Sequence, residues 1–352
     1  RSDRDWSSDV CSSDLWGIIG TGRIAAVFTA ALCAGNSGRP LIVAGRDPER
    51  TREFAAANRI PESLVNPGAL VSDPRIDAVY IATPHASHAE LSIAALEAGK
   101  AVLCEKPMAI SEEDIDAVLA TAKRTGKLFL EAFMYRWHPQ TRKLVELLRK
   151  NTVGEINLIE SAFGFAAKYD PKDRLFNPAL GGGAIWDIGG YPLSMAMLIA
   201  AAALGEESAV PDRFVCGGVP APGNVDLTGC AVAVWQERIV AQLACSTGAT
   251  LDPTLRIHGS AGRIVVPNPW VCSRTGPEEG LIRIERQDGA EELRIPAAQT
   301  SYGYEADDFA RMLASGAREA VFSPFATSES RELNRLLCRW RATAVAVENL
   351  DK

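Results

Sequence analysis

The stretch LWGIIGTGRIA, Leu15 to Ala25, decides the fold. Its first five residues are a short apolar run that reads as a strand, and the pattern from Arg23 to about Ala34 reads as a helix. Between them lies a GxGxxA turn. Gly20 allows the tight bend, Gly22 lets the backbone approach a pyrophosphate, and the small Ala25 lets the helix pack close to the strand. The helix N-terminus then faces the phosphates with its positive dipole end. Gly20, Thr21, Gly22, Arg23 and Ile24 are therefore candidate cofactor contacts.

Working outward, Pro40 to Ala44, Asp77 to Ala82 (DAVYIA), Ala101 to Cys104 and Lys127 to Glu131 read as further strands. Helical patterns separate them, for example Leu91, Ala94, Ala95 and Ala98 on one face, closed by Gly99. Alternating β and α units joined by short loops specify a parallel sheet wound by right-handed crossovers, a Rossmann domain over residues 15–133. Cofactor type is read at the end of the second strand, where a carboxylate would accept bonds from a ribose 2′-hydroxyl. This chain has Gly45-Arg46-Asp47 there. A guanidinium at that place can pair with a 2′-phosphate, so Arg46 favours NADP, with NAD the second choice.

The whole chain bounds the alternatives. At 352 residues it exceeds the size at which one hydrophobic core keeps growing, which implies two domains. Its 37 Lys and Arg against 44 Asp and Glu give a net charge of −7 with no basic run, which argues against a nucleic-acid partner. Eight scattered cysteines without a CxxC pair suit reduced thiols in a cytoplasm better than a disulfide framework or a metal site. The longest apolar run, Pro192 to Leu204, has 13 residues, short of the roughly 18 to 20 that span a bilayer, so no membrane segment is expected. Residues 1–14, RSDRDWSSDVCSSD, lack the apolar stretch of a signal peptide and are expected to form a disordered or non-native leader.

Two stretches carry the chemistry. In VLCEKPMAI, Val102 to Ile110, a buried strand stops abruptly at Glu105-Lys106-Pro107. The ligand crevice of a doubly wound sheet lies beyond the carboxyl ends of its strands, so Lys106 projects into it, with Pro107 fixing its direction. In NPALGGGAIWDIGGYP, Asn177 to Pro192, three glycines precede an apolar helical pattern carrying Asp187 and Tyr191. Their spacing of four puts both on one helix face, and an aspartate in so apolar a segment is costly unless paired. His138 stands before a helix whose Leu144, Leu147 and Leu148 form an apolar face, and it is a candidate for the substrate cleft. His85, His88 and Cys104 lack the further ligand a metal site requires, so none is expected, and Cys104 reads as core.

In that order, GIIGTGRIA, ATPHASH, EKP, FMYRWHP and LGGGAIWDIGGYP resemble the glucose–fructose oxidoreductase, inositol dehydrogenase and rhizopine catabolism family (Gfo/Idh/MocA). The likeness runs from Leu15 to about Leu350. The tyrosine of DIGGYP, where many members have histidine, resembles the branch of dimeric dihydrodiol dehydrogenases and NADP-dependent xylose dehydrogenases. The resemblance implies an NADP-preferring oxidoreductase that moves a hydride between nicotinamide and a carbinol of an aldose, cyclic polyol or trans-diol. It also implies that Lys106 and Tyr191 share the acid and base work while Asp187 binds substrate hydroxyls. Thr83, Pro84 and His88 of TPHASH, with Glu105 and Lys106 of EKP, would flank the cofactor, whereas His85 departs from the commoner TPN pattern. Arg174, in the loop from Ala166 to Leu180, and His138 complete the candidate substrate contacts. Free lysine titrates at about 10.4 and tyrosine at about 10. Burial and a positive nicotinamide would lower Lys106, and a charged Lys106 would in turn lower Tyr191. Transient use of NAD to cleave glycosides, and sensing without turnover, stay open as other readings within the family.

Beyond Phe133 the βα pattern gives way to strands at Ile156 to Phe163, Asp226 to Trp235, Arg238 to Ser246, Thr254 to His258, Arg263 to Val266 and Leu281 to Glu285. Neighbouring strands with short turns specify a C-terminal α+β domain, residues 134–324. It would hold a large, open, mostly antiparallel sheet, covered on one face by a helix from Ala184 to Leu204. The other face would expose apolar surface unless a partner covers it, and the resemblance implies a homodimer or homotetramer through this sheet. The tail, residues 325–352, carries a stripe of Leu333, Leu336, Leu337, Trp340, Ala344 and Val347. By resemblance its helix packs back near the first domain.

Overall fold

The computed structural model describes residues 14–207, 209–317 and 327–346. All but Asp14 of the expected leader, Val347 of the terminal stripe and the boundary at residue 324 lie outside them. Strands β1 (Leu15–Ile19), β2 (Arg39–Ala44), β3 (Glu62–Leu64), β4 (Ala78–Ile81), β5 (Ala101–Glu105) and β6 (Phe129–Ala132) alternate with helices α1 (Arg23–Ala34), α2 (Pro48–Ala57), α3 (Pro67–Val71), α4 (His88–Glu97) and α5 (Glu112–Thr125). The strands form one parallel sheet in the order β3-β2-β1-β4-β5-β6, the doubly wound arrangement expected. Because β1 pairs with both β2 and β4, the strand order reverses beside the glycine turn and opens the crevice there. Val79 to Ile81 and Val102 to Cys104 are fully buried, as a sheet covered on both faces requires. The edge strand β3 and the five-residue α3 were not legible in the sequence, because a three-residue edge strand shows no periodicity.

The second sheet has eight strands: β7 (Ile156–Gly164), β8 (Arg213–Ala221), β9 (Val225–Trp235), β10 (Ile239–Ser246), β11 (Leu255–Gly259), β12 (Gly262–Val266), β13 (Gly280–Arg286) and β14 (Gly289–Ile295). They run in the order β14-β13-β12-β11-β7-β10-β9-β8. Neighbours are antiparallel except β7 and β10, which pair in parallel. Two of these strands escape the sequence reading. Gly217, Gly218 and Pro220 interrupt β8, and β14 carries Glu291, Glu292 and Arg294 where alternation would be sought.

Helices α6 (Pro139–Arg149), α7 (Gly190–Leu204), α8 (Ser301–Ala314) and α9 (Thr327–Val345) complete the fold. The expected helix from Ala184 is in fact a π-helical turn, Ile185–Gly189, running into α7. The helical stretch Pro178–Leu204 spans 27 residues with mean hydropathy 1.4, long and apolar enough by those measures to cross a membrane. It exceeds the 13 residues read from the sequence, but 89% of its apolar window is buried inside the protein, where it forms the core of the second lobe.

Two helices tie the lobes together. α8 lies against the first sheet, where Trp16 packs on Phe28 at 5.5 Å and on Phe309 at 5.1 Å between ring centroids. α9 bridges both sides. Its Arg331 pairs with Asp116 of α5 at 2.8 Å, and its Trp340 Nε1 donates to the Gly217 carbonyl of β8 at 3.2 Å. Arg136 and Glu329 form a fully buried ion pair at 2.8 Å beneath them.

Candidate active site

The glycine turn has the shape a dinucleotide needs. Gly20 adopts φ +118°, and a Cβ there would lie 2.4 Å from the Ala82 carbonyl oxygen, so only glycine fits. Gly22 caps α1 without any side-chain hydrogen bond, and a Cβ there would meet nothing within 4 Å. An uncapped helix N-terminus beside open space leaves its N–H groups for an anion. Thr21 lies beside it, and Arg23 and Ile24 open the first turn of α1. Thr83 and Pro84 follow β4 across the crevice, where the Thr83 hydroxyl accepts from Ser87 at 2.8 Å. Arg46 is exposed at the end of β2. The sequence reading missed a second guanidinium, Arg50, whose Nη2 donates to the Thr21 carbonyl at 3.1 Å. Its signal was its place in the first turn of α2, four residues after Arg46.

Lys106 leaves the end of β5 and meets the second lobe. Its Nζ donates to the Asp187 main-chain carbonyl, lies 4.0 Å from Asp187 Oδ1 and sits 5.1 Å from the centre of the Tyr191 ring. The Lys106–Pro107 bond is cis. Arg174 Nη1 donates to Asp187 Oδ1 at 2.8 Å, so the aspartate is shared between two cations. The π-helical turn places Asp187 and the following α7 places Tyr191, and both reach the lysine from one side. Asp226 of β9 anchors that turn by accepting from the Ile185 N–H at 2.6 Å, while Arg341 of α9 approaches its other oxygen at 2.8 Å.

Ionisation follows from burial and charge. Burial pushes Lys106 below the usual lysine range, although Asp187 and Glu105 oppose it. Burial pushes Asp187 up, but Lys106 and Arg174 overrule it and hold the carboxylate at about 2. The expectation that Lys106 lowers Tyr191 is corrected: burial dominates and keeps the phenol well above the usual tyrosine range. Its hydroxyl contacts Met134 Sδ at 3.6 Å, a weak acceptor that does not stabilise a phenolate. Glu105 is also pushed up by burial and accepts from the Tyr80 hydroxyl at 2.5 Å. The charge of Arg274, beyond β12, also acts on Lys106, Glu105 and Tyr191. No sequence motif marked it.

The histidines separate by their bonds. His88 is fully buried between two crevice loops, with Nε2 2.9 Å from the Thr83 carbonyl and Nδ1 2.8 Å from the Pro107 carbonyl. His85 Nδ1 lies 2.8 Å from the Gly181 carbonyl of the second lobe, and burial holds the ring near pKa 3, hence neutral. His138 does not face the site as expected. Its Nδ1 accepts from Gln140 N at 3.1 Å to cap α6 and its Nε2 lies 3.0 Å from Ser273 Oγ, so both nitrogens are used in holding the fold.

Residues 15–133 match the family model described as an oxidoreductase family with an NAD-binding Rossmann fold, and residues 141–265 match the Gfo/Idh/MocA C-terminal domain. The chain belongs to the Gfo/Idh/MocA family. It is an oxidoreductase. Trans-1,2-dihydrobenzene-1,2-diol dehydrogenase of Mus musculus is 29% identical over 324 residues, covering 89% of this chain and 92% of the relative. An uncharacterised oxidoreductase of Rhizobium meliloti is 30% identical over 329 residues, covering 91% and 95%. Among solved structures, KijD10, a 3-ketoreductase from Actinomadura kijaniata in complex with NADP and TDP-benzene, superimposes with a TM-score of 0.81 at 28% identity, covering 95% of this chain and 98% of that one. Within this Gfo/Idh/MocA chain, the glycine turn, the end of β5 and the start of α7 converge on one crevice.

Proposed function

We propose that this chain is an NADP-dependent dehydrogenase acting on a carbinol of an aldose, a cyclic polyol or a trans-diol. The observation that carries it is the convergence of Lys106, Asp187 and Tyr191 beside a helix N-terminus whose N-cap, Gly22, supplies no side-chain hydrogen bond. Gly20, Gly22 and the first turn of α1 would hold the pyrophosphate, and Arg46 with Arg50 would meet a 2′-phosphate. The bound dinucleotide supplies the carbon that takes the hydride. In its neutral form, which burial favours, Lys106 takes the hydroxyl proton as the substrate C–H bond breaks. Tyr191, kept protonated, donates a hydrogen bond to the same oxygen and orients it. Asp187 stays ionised, so it accepts from a neighbouring substrate hydroxyl and holds Lys106 and Arg174 in place. In the reductive direction the same two groups return the proton to a carbonyl oxygen. The NADP bound by KijD10 and the diol named for the mouse relative support this reading.

A homo-oligomer through the outer face of the second sheet forms part of the proposal. Val215, Val219 and Val232 are 70%, 59% and 42% exposed there, and Val215 and Val232 line a trough of about 630 Å³ that shares no residue with the lysine site. The test of function is a panel of aldoses, inositols and trans-diols assayed for net reduction of NADP+ and of NAD+. Reduction of NADP+ by one of them is expected. Glycoside cleavage without net reduction would overturn the dehydrogenase reading.

A further inference from the structure

The peptide unit between Pro107 and Met108, next to the lysine, is gripped at both of its polar edges by buried side chains. Its carbonyl oxygen lies 2.8 Å from His88 Nδ1, and its N–H donates to Glu131 Oε1 over 2.9 Å. Nε2 of the same ring faces the Thr83 carbonyl, and a neutral imidazole carries one N–H, so the ring can donate to only one of these two carbonyls. The two grips differ in what stands behind them. His88 leads back to the Thr83 carbonyl, still among the loops of the first sheet. Glu131, at the end of β6, leads across to the C-terminal helix. Asn334 Nδ2 of α9 donates to both of its carboxyl oxygens, at 3.0 Å and 2.9 Å, and to the Ser330 carbonyl at 2.8 Å.

A carboxyl only 3% exposed is costly to bury, and an apolar side chain would serve the core at that strand position equally well. Its bonds give the reason for its presence. Through Asn334, α9 holds the peptide next to Lys106. Through Arg341 and Asp226, the same helix also holds the start of the π-helical turn that carries Asp187. One element therefore references both sides of the Lys106–Asp187 contact.

We propose that Glu131 is a positioning residue: with Asn334 it fixes the Pro107–Met108 peptide to α9 and so sets where Lys106 meets Asp187 and Tyr191. The inference rests on the oxidoreductase reading of Lys106. Placement errors of about 1 Å can cost about a hundredfold in rate, so a side chain touching neither substrate nor cofactor carries weight here.

The test compares Glu131→Ala, Glu131→Gln and Asn334→Ala with the unaltered protein. Turnover, NADP+ affinity by fluorescence titration and crystal structures without cofactor are measured. Glu131→Ala is expected to lower kcat roughly 10- to 100-fold with an unchanged Kd for NADP+, and to move Lys106 Nζ off the Asp187 carbonyl. Glu131→Gln keeps an acceptor for the Met108 N–H and is expected to restore both the lysine and most of the turnover. Full turnover in Glu131→Ala with Lys106 in place overturns the proposal. Equal losses in the Ala and Gln variants overturn it too, since the acceptor would then be irrelevant. Should Glu131→Ala fail to fold, a lower kcat in Asn334→Ala at unchanged Kd supports the proposal, and an unchanged kcat overturns it. If the unaltered protein turns over no substrate with either dinucleotide, the oxidoreductase reading fails, while the lysine position in the variant crystals still decides the clamp.

Discussion

Lys106 and Asp187 make sense only as a pair: the carboxylate offsets the charge Lys106 carries whenever it holds a proton, and that ammonium offsets the buried carboxylate. Lys106→Ala removes the proton acceptor and is expected to reduce turnover about 100-fold or more, with NADP+ still bound because the glycine turn is untouched. Steady-state rates with a separate binding titration check it. Asp187 makes a second, pH-dependent prediction. Its folded pKa of about 2 lies below the usual aspartate value of about 3.9, so its ionised form stabilises the protein above that usual value. That contribution, on the order of 2 kcal/mol, is lost as pH falls through the folded value. Urea unfolding of the unaltered protein and of Asp187→Asn should therefore differ at neutral pH and converge towards pH 2. A constant gap across that window would contradict the assignment. Tyr191 shows why residue chemistry was only partly legible in the sequence. Its place by the lysine followed from the motif, but its raised pKa depends on Phe133, Phe163 and Trp270 packing around it from distant segments.

The elements that build the site differ in how far their sequences announce them. The turn into α1 and the end of β5 are local: adjacent residues specify strand, bend and charge, so Gly20, Gly22 and Lys106 could be placed by spacing. The π-helical turn is not local. Gly183 at φ +124° and the carboxylate of Asp226, more than forty positions away, shape it, and no helical period encodes that partnership. Glu131, Arg50 and Arg274 were missed for the same reason, although an acid ending the apolar run of β6 was a usable clue. Gly183→Ala tests the turn. A Cβ there would fall 2.2 Å from Asp226 Oδ1 in a backbone conformation that L residues avoid. It should destabilise the protein by about 1–3 kcal/mol, read as a lower urea midpoint at unchanged slope. It should also depress turnover by disturbing Asp187. A variant with wild-type midpoint and turnover would show that the turn tolerates displacement of Asp226.

For the whole molecule, fold class and the order of lobes were legible because βα alternation and strand runs are properties of long stretches. The covering of faces was not, since it depends on helices that return from far along the chain. The outer sheet face is the clearest case, and Val215→Glu combined with Val232→Glu should convert an oligomer into monomers by light scattering without loss of folded signal. A monomeric unaltered protein would refute the interface. The contact between Trp16 and Phe309 has a consequence for biosynthesis. The ribosome delivers one ring long before the other, and at roughly 5–20 residues per second the nascent first lobe waits about 15 s to a minute for the helix that shields it. During that interval its inner surface is available to chaperones or to neighbouring nascent chains, so abundance in a cell depends on translation speed as well as on the finished protein's stability.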